Sequence, residues 1–185
     1  YAQRVNANGE SLWEHDGVLI AGQVGYQEYP NLVTDGAGGA IIAWQDWRDG
    51  KGDIYIQRVN VNGQPLWHEH GAPVCKMPER QWHPKIAPDG KGGAIIVWMD
   101  QRNDEESDII TQADYLSRAG WDIYAQHVDA QGNIQWQMNG IPICLALGDQ
   151  YNHSVIGDGA GGAFITWHDQ RGGDGVRDRG EGDAD

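Results

Sequence analysis

The sequence predicts an all-β fold, a β-propeller-type array of four-stranded antiparallel blades, and three observations carry that expectation. One stretch occurs three times, as DGAGGAIIAW at 35–44, DGKGGAIIVW at 89–98 and DGAGGAFITW at 158–167. A fixed Asp-Gly-x-Gly-Gly-Ala run with a Trp at constant distance marks a repeated structural unit. The composition is the second observation: Gly (27) and Trp (9) are abundant and Phe (1) nearly absent, which suits tight turns and short strands with large aromatic anchors. Third, the run after each glycine turn is apolar on both faces, so its sheet needs a neighbour on each side.

The units align without gaps on YAQRVNANGESLW (1–13), YIQRVNVNGQPLW (55–67) and YAQHVDAQGNIQW (124–136), at offsets of 54 and 69. They run 1–54, 55–123 and 124–185, half a blade out of step with the structural blades. The extra 15 residues sit in one loop, an insert at about 103–121. The first strand of a blade is read in NLVTD (31–35) and KIAPD (85–89), followed by the Asp-Gly-x-Gly-Gly turn, whose glycines accept positive φ. AIIAWQD (40–46) is the second strand. Ala40, Ile42, Trp44 and Asp46 share one of its faces, and Ile41 and Ala43 the other. A variable loop leads to the third strand, IYIQRVN (54–60), and an Asn-Gly or Gln-Gly turn to a fourth strand carrying PLW (65–67). GAPVC (71–75) either prolongs that strand or stands alone. Four short strands per unit of about 54 residues match a propeller blade.

The chain lacks an initiator Met and begins and ends in mid-blade, so it reads as a processed or excised three-unit excerpt of a longer array. Otherwise closure needs pairing between its own ends or between copies. The expected partners are therefore further blades of the same parent chain or another copy.

A net charge of −14 argues against nucleic acid and anionic membranes, which need a basic footprint. No run approaches the roughly 18 apolar residues of a membrane span. The two cysteines, Cys75 and Cys144, hold the same place in successive units and read as small buried apolar residues rather than a disulfide.

The Tyr-Ala hairpin with its Gly-x-x-x-Trp turn resembles blade hairpins of pyrroloquinoline-quinone-enzyme-like propellers. The whole unit looks like the repeats of large secreted or surface proteins of bacteria. That resemblance implies an extracellular or cell-surface location and brings no catalytic motif. The unit departs from the sialidase Asp-box, because Trp44 follows Asp35 by nine positions rather than five. It also lacks the Asp-x-Asp-x-Asp-Gly calcium loop of integrin-type blades.

Residues repeated in every unit are assigned to the blade itself: Trp13, Trp67 and Trp136; Gln27, Gln81 and Gln150; and the Asp-x-Arg set Asp46–Arg48, Asp100–Arg102 and Asp169–Arg171. These carboxylate–guanidinium pairs are expected to tie blade edges or to stack an Arg on a Trp. One end of each blade should hold only tight glycine turns and the other all the variable loops. Variable loops on a rigid scaffold are where sites are grafted. The ligand-binding candidates there are Tyr29, Trp47, Arg80, Trp82, His83 and Tyr151, alongside Tyr26, Tyr115 and Trp121. Aromatic rings flanked by Asp, Asn and Gln suit stacking on sugar rings, whereas the plainer reading makes Trp82 and Tyr151 caps of the blade tops.

The acidic loops DGKGD, NDEESD and GDGVRDRGEGDAD offer Asp49, Asp53, Asp104, Asp108, Asp174 and Asp178 as calcium candidates, though solvated loops explain them better. His68 and His70 read as a polar turn before a metal pair. Together these features favour a non-catalytic recognition or adhesion propeller binding a glycan or protein. The alternatives are a polysaccharide-active hydrolase or lyase, which needs two converging carboxylates, and a structural spacer.

Overall fold

A computed structural model describes residues 1–103 and 120–171. Among the described residues there is no helix. The strands are β1 (Gln27–Thr34), β2 (Ala40–Asp46), β3 (Asp53–Val59), β4 (Ala72–Cys75), β5 (Gln81–Pro88), β6 (Ala94–Asp100), β7 (Asp122–Val128), β8 (Ile141–Cys144), β9 (Gln150–Gly157) and β10 (Ala163–Asp169). They form two four-stranded antiparallel meanders, β1-β2-β3-β4 and β5-β6-β7-β8, and a two-stranded sheet of β9 and β10. Residues 1–18 make a hairpin held by two bridges, Ala2 opposite Val18 and Val5 opposite Ser11.

The repeated glycine run is explained by its turn. Asp35 Oδ1 accepts from the backbone N–H groups of Ala37 and Gly39, both at 2.8 Å. Gly36 and Gly38 take φ of 73° and 87°, in the left-handed region that favours glycine. Gly39 is required for space, since a Cβ there would collide with the Val59 carbonyl.

Two parts of the strand plan differ from the sequence reading. The fourth strand is Ala72–Cys75, within GAPVC, which stands alone, whereas PLW contributes a single bridge between Pro65 and Val59. The reason lies in Gln57, which is fully buried. Its amide donates to the His68 carbonyl at 2.7 Å, and its Oε1 accepts from the N–H of both Arg58 and Trp67 at 3.0 Å. That capture takes the chain out of the ladder, so residues 60–71 form an excursion and not the tight turn expected at that end. The first strands also start earlier, at Gln27, Gln81 and Gln150. Tyr29, Trp82, His83 and Tyr151 consequently lie on strands, not in the preceding loops.

The sheets stack face to face with the alternation read from the second strand. Ile41, Ala43, Ile54 and Ile56 of the first meander share a cluster with Ile86, Ile96, Trp98 and Tyr124 of the second. On the far side of the second, Ile95, Val97, Met99 and Ile123 pack against Val155, Ile165 and Trp167. The first hairpin covers Ile42, Trp44 and Tyr55 with Ala2, Trp13 and Val18. Each Trp-bearing face thus meets the Ile/Ala face before it. Full burial of one such Ile contributes roughly 1.5–3 kcal/mol.

Hooks reinforce two of these three stacks. Trp13 Nε1 donates to the Val61 carbonyl at 2.9 Å, and Trp67 Nε1 to the Ala130 carbonyl at 3.2 Å, each one unit further on. Arg4 and Arg58 donate to the same two carbonyls. Gly63 and Gly132 lie under the Trp13 and Trp67 indoles, where a Cβ would come within 2.9 and 3.0 Å of ring carbons.

Candidate functional site

The Asp-x-Arg residues form a clamp at the end of each second strand. Asp46 accepts from Trp44 Nε1 at 2.8 Å, and from Arg48 Nε at 2.8 Å and Nη2 at 2.6 Å. Arg48 also donates to the His70 carbonyl at 2.9 Å. Trp98, Asp100, Arg102 and the Asn139 carbonyl repeat the arrangement in the second meander. The expected stacking partner is corrected: the guanidinium lies over tyrosine, Arg48 at 3.9 Å from the Tyr55 ring centroid and Arg102 at 3.8 Å from that of Tyr124. The tryptophan instead gives its indole N–H to the carboxylate. Burial works to raise the Asp46 carboxyl, but the hydrogen bonds from Arg48 and Trp44 hold it below its ordinary value.

The free, buried cysteines touch the next clamp along the stack. Cys75 Sγ lies 3.1 Å from Arg102 Nη2, and Cys144 Sγ 3.3 Å from Arg171 Nη2. Burial pushes the Cys75 thiol up to about 12, which makes it a packing group and not a nucleophile.

The ladder's opposed carboxylates, Asp46 with Asp53 and Asp100 with Asp122, bear on the enzymatic alternative. Burial raises Asp53 to about 6 and also raises Asp122, whose Oδ2 accepts from Asn103 at 2.8 Å. Perturbed pairs of this kind can divide acid and base roles. Here they sit between second and third strands in both meanders, with Asp46 and Asp100 engaged in the clamps.

The first strands carry a different feature. Their pairing with the second strands shifts register at matching places: between Glu28 and Asn31, between Trp82 and Lys85, and opposite Thr166/His168 in β9. Within each bulge one residue is left-handed: Tyr29 (φ 52°), His83 (φ 53°) and Asn152 (φ 50°). For Tyr and His that conformation costs roughly 1–2 kcal/mol, and bulges of this kind re-aim side chains.

The re-aimed rings meet. Tyr29 and His83 have centroids 4.2 Å apart, Trp82 lies 4.6 Å from His83 and 6.1 Å from Tyr29, and Trp121 lies 5.2 Å from Trp82. Tyr29 is nearly half exposed, and Trp82, His83 and Trp121 are partly buried. His83 Nε2 has no hydrogen-bond partner among the described residues, and burial, with Lys85 nearby, lowers its basicity. Beside it in sequence terms stands His153, the third-unit counterpart of Pro30 and Pro84. It is buried, with Nε2 3.1 Å from the Val97 carbonyl, and burial lowers its pKa to about 4.

The other candidates fall into separate groups. Arg80 lies over Trp47 at 5.8 Å, within cation–π range. Tyr151 meets His168 edge-on at 5.4 Å. Trp82 and Tyr151 both pack on the Ile95–Met99 cluster. Tyr26 is exposed, and Trp47 donates its backbone N–H to the Tyr26 carbonyl. The bulge was missed from sequence. Its signal was Pro30 and Pro84, each interrupting an alternating run just after the re-aimed residue.

Of the calcium candidates, Asp49 is ion-paired with Lys76, and Asp53 is buried in the ladder. Asp104, Asp108, Asp174 and Asp178 lie outside the described residues, as does Tyr115. Among the described residues no three acidic, His or Cys side chains gather as a metal site. His68 and His70 stand in the polar turn expected of them. No helix among the described residues is long and apolar enough to cross a membrane. In comparisons with known proteins, no family model, no curated protein and no solved structure matches this chain.

Proposed function

We propose that this chain belongs to a non-catalytic β-propeller of the extracellular space or cell surface, which recognises glycans through aromatic rings at the loop-rich end. The observation that carries the reading is the Tyr29–Trp82–His83–Trp121 group, which spans two successive sheets and is set by strained bulges. Flat rings of this kind stack on the apolar faces of sugars, and imidazole and carboxamide groups beside them bond hydroxyls. The propeller part is supported by the face-to-face stacking and by the approach of β1 to β5 and of β5 to β9, which brings first strands together. Ile86 N–H donating to Asn31 Oδ1 at 3.2 Å belongs to that approach. Shallow single sites gain strength when repeated along an array, so avidity is the expected mode.

The test is a glycan array probed with the chain and with a Tyr29→Ala/Trp82→Ala double variant of unchanged circular dichroism. Binding lost in the variant locates the site. A blank array from folded protein overturns the glycan reading and directs the search to a protein ligand or a spacer role.

A further inference from the structure

The first strands differ in charge from the rest of this acidic chain. Of its 27 acidic residues only Glu28 lies on β1, β5 or β9, and Lys85 is the one Lys or Arg there. Elsewhere cations are matched: Arg48, Arg58, Lys76, Arg102 and Arg171 each lie 2.5–2.9 Å from an aspartate oxygen. Lys85 is exposed and has no ion pair among the described residues. Glu28 stands before the bulge, opposite Gln45, and does not answer it.

The groups around Lys85 are donors and imidazoles. Lys85 lies opposite Val97, where the ladder resumes after the bulge. From β1, Asn31 Oδ1 accepts from the adjacent Ile86 N–H at 3.2 Å, which brings the Asn31 carboxamide alongside and leaves Nδ2 to donate elsewhere. From β9, His153 Nε2 lies 3.1 Å from the Val97 carbonyl, which brings a second imidazole to the same place. His83 stands two residues before Lys85 on β5. Burial, and behind it the Lys85 ammonium, lowers the basicity of both imidazoles. For His83 these are the two causes, and no carboxylate offsets them. Neither His83 Nε2 nor His153 Nδ1 has a hydrogen-bond partner among the described residues.

These groups adjoin the candidate aromatic site, since the His83 ring lies between those of Tyr29 at 4.2 Å and Trp82 at 4.6 Å. The scaffold does not need a cation here: the counterparts of Lys85 are Asn31 and Ser154, in the same strand of their own sheets. An unpaired ammonium, a spare amide donor and two unpartnered imidazole nitrogens are what an anionic group would satisfy.

We propose that the ligand of this site is an acidic glycan, its sugar ring stacked on Tyr29 and its carboxylate or sulfate held by Lys85 and Asn31 beside the two imidazoles. The assignment rests on the glycan reading and narrows it to a class of sugar. A neutral sugar would use the rings and leave the ammonium unanswered. The chain's net charge of −14 does not forbid such a ligand. Nucleic acid needs an extended basic footprint, whereas one anionic group needs only a local set, with charges beyond about 8 Å screened at physiological salt.

The experiment is calorimetric titration of the chain with three short oligosaccharides of one linkage: trigalacturonate, the neutral trigalactose obtained by reducing its carboxyls, and a sulfated trigalactose. An acidic form should bind about tenfold or more tightly than the neutral one, and the tighter of the two acids identifies the anionic group. Lys85→Asn introduces the residue already present at 31 and should bring the acidic affinity down to the neutral value, with unchanged circular dichroism. Tyr29→Asn, on a backbone that Asn tolerates, should weaken all three alike. Acidic and neutral forms binding equally, or a preference that survives Lys85→Asn, overturns the acidic assignment and leaves glycan recognition standing. No binding of any probe by the folded chain overturns both.

Discussion

Tyr29 and His83 occupy the same position in successive sheets, and their rings meet 4.2 Å apart on backbones turned into the left-handed region. Stacked sheets bring matching positions together at every step, so a bulge repeated in each unit becomes a row of re-aimed side chains. The row reads Tyr, His, Asn, with chemistry changing from sheet to sheet over a constant backbone. At these three positions the scaffold fixes placement while the side chain changes from sheet to sheet.

Tyr29→Asn should leave stability within about 1 kcal/mol of the parent, because Asn tolerates this φ and already holds it at 152. Tyr29→Val should cost roughly 1–3 kcal/mol more, since β-branching is poorly tolerated there. Urea denaturation of the two variants checks both, and equal midpoints would show that the bulge relaxes freely.

Asp100→Ala should destabilise the fold by about 3–5 kcal/mol, as it strands the buried Arg102 guanidinium and the Trp98 indole N–H. Asp169→Ala, in the exposed counterpart, should cost clearly less in thermal melts of the single chain. Arg102→Lys keeps the charge but loses the two-pronged contact and the stacking on Tyr124, so it should fall between the two.

Asp53 and His153 should give opposite pH slopes. Asp53, raised by burial to about 6, stabilises the fold when protonated. Its contribution is complete below about 4, the ordinary aspartate value, and is lost as pH rises through 6. His153, lowered by burial to about 4, favours the neutral form, so its contribution is complete above about 6.5 and is lost as pH falls towards 4. Asp53→Asn should therefore raise stability at pH 7 by about 1–3 kcal/mol and expose a steeper loss between pH 6 and 4. Denaturant midpoints across that range read both effects.

Gly36→Ala should cost roughly 1–2 kcal/mol for its positive φ alone, as nothing lies within 4 Å of the new Cβ. Gly71→Ala adds a collision with the Trp44 ring and should cost a further ~1–3 kcal/mol. Similar losses at the two sites would mean that Trp44 can shift.

Much of the scaffold was legible because it is encoded locally. The glycine turn, the two-faced second strand and the buried cysteines each follow from residue type and spacing. What escaped depends on contacts distant in sequence. Gln57 captures Trp67 and His68 across 10 and 11 residues, which makes PLW an excursion and leaves APVC as the strand. Arg48 finds Tyr55 only because the β2–β3 register places Tyr55 opposite Trp44. The candidate aromatics were found by type, but their division into three groups depends on the bulge, which a pattern of apolar residues does not announce.

The β2–β3 and β6–β7 ladders end on the same opposed aspartates and the same clamp, although residues 47–52 join one pair and 101–121 the other. Lengthening a connection from six residues to 21 costs only about 1 kcal/mol in closure entropy. The clamp fastens the strand ends whatever hangs beyond them, so this corner is a port where foreign sequence can be spliced without retuning the sheet. The array can acquire new surface chemistry by insertion, one corner at a time, while its folding instructions stay unchanged.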